Sequence, residues 1–197
     1  MNILIVKLSA IGDVVHTLPS LAALRKLYPQ ASITWVIEDA AADLIKDHPY
    51  LDNVLVSYRK RWIRELKKGN LKTLGEILHF IKELRSRRYD LVIDFHGLLK
   101  SSLIVFLASA ERKIGYDSMQ ELSGLFIREK IPEDMDKHAV DRYLDLVLYL
   151  DNKELISPGG MNSEAPEIVF DCQEKVEFII PIFPAEEKRV VRLLQSN

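Results

Sequence analysis

This chain has little of several things, and each scarcity excludes something. It has a single cysteine, Cys172, in 197 residues. No internal disulfide can form, and no cysteine-based zinc cluster either. Such sparing use fits a reducing compartment, and the cytoplasm is the expected location. An excess of one charge is also missing: 27 Lys and Arg face 29 Asp and Glu, a formal net charge of −2. Proteins that hold nucleic acid are normally basic overall, so no nucleic-acid partner is expected. The longest apolar run is the six residues Leu103 to Ala108, far short of the ~20 needed for a membrane span. The N-terminal MNILIVKLSAIGD has no basic leader and carries Lys7 within its apolar run, unlike a signal peptide. The five histidines show no metal-ligand spacing, so no metal is expected.

What remains is an ordinary globular composition, with 48% hydrophobic and 28% charged residues. The length suits one domain, or one domain with a tail. Asn2 to Leu8, Ile33 to Ile37, Val54 to Val56, Asp90 to Phe95 and Arg112 to Tyr116 read as strands, several of them short Ile/Leu/Val runs buried on both faces. Between them lie helical patterns. One runs from the Ser9–Asp13 turn to about Tyr28; others are expected near Ala40 to Lys46, Asn70 to Arg88, Leu98 to Ala108, Ser118 to Ile127 and His138 to Leu150. Pro19 is awkward inside the first helix and calls for a fresh start capped by Thr17, or for a kink. Alternating strands and helices predict an α/β Rossmann-like parallel sheet with helices on both faces, over residues 1–155. Residues 156–197 read as a linker and connection, with an extended segment at Phe178 to Phe183 and a charged helix from about Ala185.

In open α/β sheets ligands sit outside the carboxyl ends of the strands. That singles out the loops Ser9 to Asp13 and Phe95 to Lys100. The first contains one glycine, Gly12, so neither the dinucleotide fingerprint nor a P-loop is present. Asp13 is either a helix cap or a general base, a fixed carboxylate able to take a proton from a hydroxyl. His16 is a packed histidine or a neighbour of the site, and His96 a turn histidine or a ligand contact. Charge is more telling: Ser57 to Arg88 holds eleven basic and three acidic residues, a local excess of +8. Its densest part, Arg59-Lys60-Arg61-Trp62-Ile63-Arg64, suits a clamp on an anionic small molecule or lipid headgroup.

The run VKLSAIGDVVHTLPSLAALRKLYP resembles the N-terminal signature of the ADP-heptose:lipopolysaccharide heptosyltransferases, glycosyltransferase family 9, and of their type I branch in particular. WVIEDAAADLI, RKRW, DFHGLLKSSL, KIGYDS and HAVDRY follow in the family's order, so the resemblance covers most of residues 1–150. It implies a GT-B glycosyltransferase, two Rossmann-like domains facing a cleft, inverting and without a metal or other cofactor. The N-terminal half would bind the acceptor, Kdo2-lipid A. The C-terminal half would bind the donor, ADP-heptose. By this resemblance Asp13 is the general base, and Arg59, Lys60, Arg61 and Arg64 hold carboxylate and phosphate groups of the acceptor. Ser9, Gly12, His16, His96, Gly97 and Lys100 are expected to line the acceptor site. The basic cluster would also provide peripheral contact with the inner membrane. Ala10 stands where the family usually has a second serine, and Gln120 where it commonly has arginine. Family enzymes have a further domain's length of chain, so the expectation is a truncated acceptor half, inactive alone. A type II sibling and a non-catalytic module for an anionic glycolipid stay open as alternatives.

Overall fold

The structure is a computed structural model and describes residues 1–117 and 126–155. Six strands form one sheet: β1 (Asn2–Val6), β2 (Ser32–Glu38), β3 (Asn53–Ser57), β4 (Tyr89–Asp94), β5 (Ala110–Tyr116) and β6 (Glu129–Ile131). Their order is β3-β2-β1-β4-β5-β6, with every pairing parallel. Five α-helices accompany them among the described residues: α1 (Ile11–Leu27), α2 (Arg59–Lys67), α3 (Lys72–Arg85), α4 (Leu99–Leu107) and α5 (Ala139–Leu155). A 3-10 helix spans Asp39–Leu44.

The apolar runs are apolar because both sheet faces are covered. Ile3 and Ile5 of β1 point into a core shared with Leu21 and Leu24 of α1 and Leu146 of α5. Leu4 and Val6 point the other way, toward Trp62 of α2, Phe80 and Leu84 of α3 and Val105 of α4. Alternate residues of one strand thus serve two cores, as a covered parallel sheet requires. The Rossmann-like α/β expectation holds.

Several local expectations shift. Helix α1 begins at Ile11, which puts Asp13 in its first turn rather than in the preceding loop. Pro19 sits within this helix with no fresh start, and the Thr17 hydroxyl donates to the Asp13 carbonyl at 2.7 Å. The local cost of an interior proline is ~3 kcal/mol. Burial of Leu18, Leu21 and Leu24 on the same helix outweighs it. Helix α2 and strand β6 are additions. Most of the expected Ser118–Ile127 helix lies outside the described residues. So do Gln120, the segment 156–197, the extended stretch at Phe178 to Phe183 and the helix near Ala185.

Candidate functional site at the strand ends

Lys7 follows β1, where the chain leaves the sheet. Its ammonium is buried and donates to the Phe95 carbonyl at 3.0 Å and the Tyr143 hydroxyl at 2.7 Å. It also faces Asp13 Oδ2 at 3.8 Å. Burial lowers the Lys7 pKa to about 8, with Asp13 and Asp94 pulling the other way. The Asp13 side chain is 46% exposed, so one side of it meets solvent. Its Oδ2 accepts the Ala10 N–H at 3.3 Å, the reciprocal half of a capping box. Ala10, at the N-cap, has no side-chain oxygen to return the bond. Asp13 therefore has the cap's geometry and the accessibility that a base needs. A Cβ placed on Gly12 would meet no atom within 4 Å, so the packing of the described residues does not require glycine there.

On the neighbouring strand, Asp94 pairs in register with Val6 and is fully buried. Its Oδ1 accepts the His96 N–H at 2.9 Å and the Gly97 N–H at 3.2 Å. The Ser101 hydroxyl donates to Oδ2 at 2.8 Å. Burial raises the Asp94 pKa to about 6 against the opposing pull of these hydrogen bonds. Gly97 has φ +67°, a left-handed turn that favours glycine. The turn leaves His96 half-buried, with both ring nitrogens unpartnered among the described residues. Burial, then the charges of Lys100 and Lys7, lowers its pKa to about 3, so the ring is neutral at physiological pH. A neutral imidazole can give or take one hydrogen bond, but it cannot act as a cationic acid there.

The third part of the site is built on Glu38, at the end of β2. Its carboxylate is almost fully buried, and three cations converge on it. Arg59 Nε donates to Oε1 at 3.1 Å, Lys60 Nζ lies 3.6 Å from Oε2, and Lys100 Nζ 3.9 Å from Oε1. Lys100 also donates to the Ser9 hydroxyl at 2.7 Å, tying this cluster to the loop after β1. Burial lowers the Lys100 pKa, partly offset by Glu38. Three cations on one carboxylate leave two positive charges for an anionic ligand.

The structure brings Ser9, Arg59, Lys60 and Lys100 together about Glu38, with Asp13 four residues beyond Ser9 in the first turn of α1. It does not bring in the whole basic run. Arg61 pairs with Glu76 of α3 and stacks on the Tyr58 ring, 4.4 Å from its centroid. Arg64 pairs with Glu65 at 3.5 Å and is exposed. The reason is helical: on α2, residues 59 and 60 face the strand ends and the later ones turn away. His16 meets the ring of His138 edge-on at 5.2 Å between α1 and α5. Sequence reasoning missed Glu38, Lys7, Asp94 and Tyr143. Each except Tyr143 is a charged residue ending or interrupting an apolar strand, and that was the available signal. Among the described residues, no group of three or more His, Cys, Asp or Glu is placed to hold a metal ion.

A parallel sheet in the order 3-2-1-4-5-6 defines a Rossmann-like domain, and its polar cluster lies outside the carboxyl ends of the strands, where such folds usually hold ligands. The model of glycosyltransferase family 9 (heptosyltransferase) matches residues 77–174. Lipopolysaccharide heptosyltransferase 1 of Pseudomonas aeruginosa is 35% identical over 147 residues, 72% of this chain and 40% of that protein. The Escherichia coli K12 enzyme of the same name is 33% identical over 149 residues, 74% of this chain and 46% of that protein. The solved structure of E. coli heptosyltransferase WaaC with ADP-2-deoxy-2-fluoro heptose matches at 33% identity and a TM-score of 0.69, covering 76% of this chain and 48% of that one. The chain is a relative of the family 9 glycosyltransferases. It resembles heptosyltransferase 1, along the N-terminal half of that enzyme. It spans 40–46% of the length of these curated relatives.

Proposed function

We propose that this chain is the acceptor-binding half of a heptosyltransferase of lipopolysaccharide inner-core biosynthesis. The reaction is transfer of L-glycero-D-manno-heptose from ADP-heptose to a Kdo hydroxyl of Kdo2-lipid A. The observation that carries the reading is the placement of Asp13. It is a half-exposed carboxylate in the first turn of α1, oriented by a backbone N–H and faced by Lys7, just beyond the loop whose Ser9 touches the Glu38 cation cluster. Residues 1–155 are the proposed acceptor-binding unit.

Asp13 accepts the proton of the Kdo hydroxyl as that oxygen bonds to C1 of the heptose. The bond from C1 to the ADP oxygen breaks on the opposite face, the anomeric centre inverts, and ADP leaves with the bonding pair. Lys7 and the Ala10 N–H hold the carboxylate in position. Arg59, Lys60 and Lys100 bind carboxylate or phosphate groups of the acceptor, and His96 packs beside them as a neutral ring. Arg61 and Arg64 lie further along α2, toward the rim. The ADP-heptose analogue in the related WaaC structure supports the donor class. The acceptor lies in a bilayer, so the protein works at the cytoplasmic face of the inner membrane, held peripherally.

Calorimetric titration of the chain with O-deacylated Kdo2-lipid A, at low and moderate salt, tests the acceptor site. Saturable binding that weakens with salt is expected. A folded chain that binds nothing overturns the reading. A chimera with residues 1–155 in place of the corresponding part of E. coli heptosyltransferase 1 tests turnover. Transfer only to an acceptor that already bears one heptose would move the chain to the sibling enzyme of the next step.

A further inference from the structure

Seven of the eleven exposed large apolar side chains among the described residues lie on the single layer formed by α2, α3 and α4. The clearest are two stripes. Leu71, Leu74 and Leu78 are 73%, 46% and 65% exposed and follow helical spacing along one side of α3. Leu99, Leu103 and Phe106 of α4, which contacts α3, are all more than half exposed at spacings of four and three. These residues do not belong to the core beneath, which Phe80, Leu84, Ile104 and Val105 supply. The α3 stripe continues with Lys82 and Arg85, both exposed and without an ion pair among the described residues. The acidic residues of α3 fall off the stripe, and Glu76 is turned to Arg61.

We propose that the outer face of α3 and α4 is a membrane-docking surface, which seats its leucine and phenylalanine stripes among the headgroups of an anionic phospholipid bilayer. Charge selects this occupant. A stripe of leucines ending in two free cations matches an apolar interface under a negative surface. A second copy packed on the same face about a two-fold axis would set basic residues against their own kind. Continuity with the site gives the orientation. Leu99 begins the helix whose next residue, Lys100, reaches Ser9 and Glu38. A bilayer on the α4 stripe therefore lies beside the strand-end cluster. This deepens the functional reading, and rests on it, because a bilayer-borne acceptor is what gives the surface its use.

The test is sedimentation of the chain with phosphatidylglycerol/phosphatidylcholine vesicles that contain no lipid A. Binding to these and not to pure phosphatidylcholine is expected. Lys82→Gln and Arg85→Gln should each lower the partition coefficient about fivefold. Leu74→Ser with Leu78→Ser should lower it at least tenfold, and Leu103→Ser in the same direction, with circular dichroism unchanged. No binding by the parent chain, or equal binding by all these variants, overturns the proposal. Concentration-dependent dimers in light scattering, abolished by the leucine changes, would assign the face to a second copy instead. The same variants should titrate with soluble O-deacylated Kdo2-lipid A as the parent does. A parent chain that titrates with this acceptor but binds no vesicles fails the docking surface alone, and one that binds vesicles but does not titrate fails the acceptor site alone.

Discussion

Two aspartates stand at the ends of neighbouring strands, and the protein surrounds them in opposite ways. Asp13 lies in the first turn of α1, after β1, and is nearly half exposed. Asp94 closes β4, is fully buried and accepts two backbone N–H groups and one hydroxyl. The same side chain in nearly the same topological place is left open to solvent in one case, as the proposed base, and enclosed as a scaffold in the other. What separates them is how many acceptor positions the protein itself fills. Asp13 accepts one backbone N–H and leaves its other lone pairs to solvent or, in the proposed reaction, to a hydroxyl. Asp94 spends its own on the turn that presents His96 and Lys100.

The contrast is broken most sharply by removing the carboxylate charge at each position. Asp13→Asn in the active chimera should lower kcat about 10²–10⁴-fold, the range of a lost general base. Its urea midpoint should stay near the parent's. An active Asp13→Asn protein would end the assignment of the base. Asp94→Ala should do the reverse. It removes the acceptor of the partly buried His96 and Gly97 N–H groups, leaving the Ser101 hydroxyl only the Leu98 carbonyl, at a cost of about 3 kcal/mol in unfolding free energy. A urea titration that found Asp94→Ala as stable as the parent would show that the β4 turn holds without its carboxylate.

The difference between the two aspartates also explains what could be read from the sequence. The strands β1 and β4 were plain, since ILIV and LVI can only be buried runs. Asp13 was singled out by its place after a strand, where the residues alone read as a helix cap or a base; only the resemblance chose the base, and the structure shows the capping contact as well. Asp94 was hidden: as the last polar residue of DLVIDF it looked like a strand end, and its three partners come from the turn beyond. Glu38 was hidden in the same way in WVIED, because the cations that define it arrive from residues 59, 60 and 100. Helix α2 was missed because its nine residues offer only Trp62, Ile63 and Leu66 as apolar markers among six charges. Basic density was read as a ligand clamp where it was also a helix. Pro19 misled in the other direction, since tertiary burial overrode a local rule.

Acidity sharpens the comparison further. The raised pKa of Asp94, about 6 against 3.8 for the free group, means that the folded state holds this proton more tightly than the unfolded state does. Stability from this group is fully present below the unfolded value and is lost as pH rises through about 6. Two units correspond to about 3 kcal/mol. Asp94→Asn cannot titrate, so its stability relative to the parent should rise between pH 4 and pH 7 by that order. The amide can still accept the two backbone N–H groups. A parent-minus-variant difference that stays flat across this range would mean that Asp94 ionises as an exposed carboxylate does.

The smallest expected effect separates neighbours on α2. Arg59 and Arg61 are two residues apart, equally basic, and indistinguishable in the sequence. Arg59 touches the buried Glu38 at the strand ends, whereas Arg61 is engaged by Glu76 and Tyr58. If the anion is held over Glu38, Arg59→Ala should weaken binding of O-deacylated Kdo2-lipid A about tenfold, the loss of one charge-assisted hydrogen bond. Arg61→Ala should change it less than about twofold, because an exposed charge away from the ligand contributes only through a screened field. Equal losses would place the acceptor across the whole basic face of α2. An effect confined to Arg61 would move the anion site off the strand ends, and Asp13 would then need a different neighbour to bring it substrate.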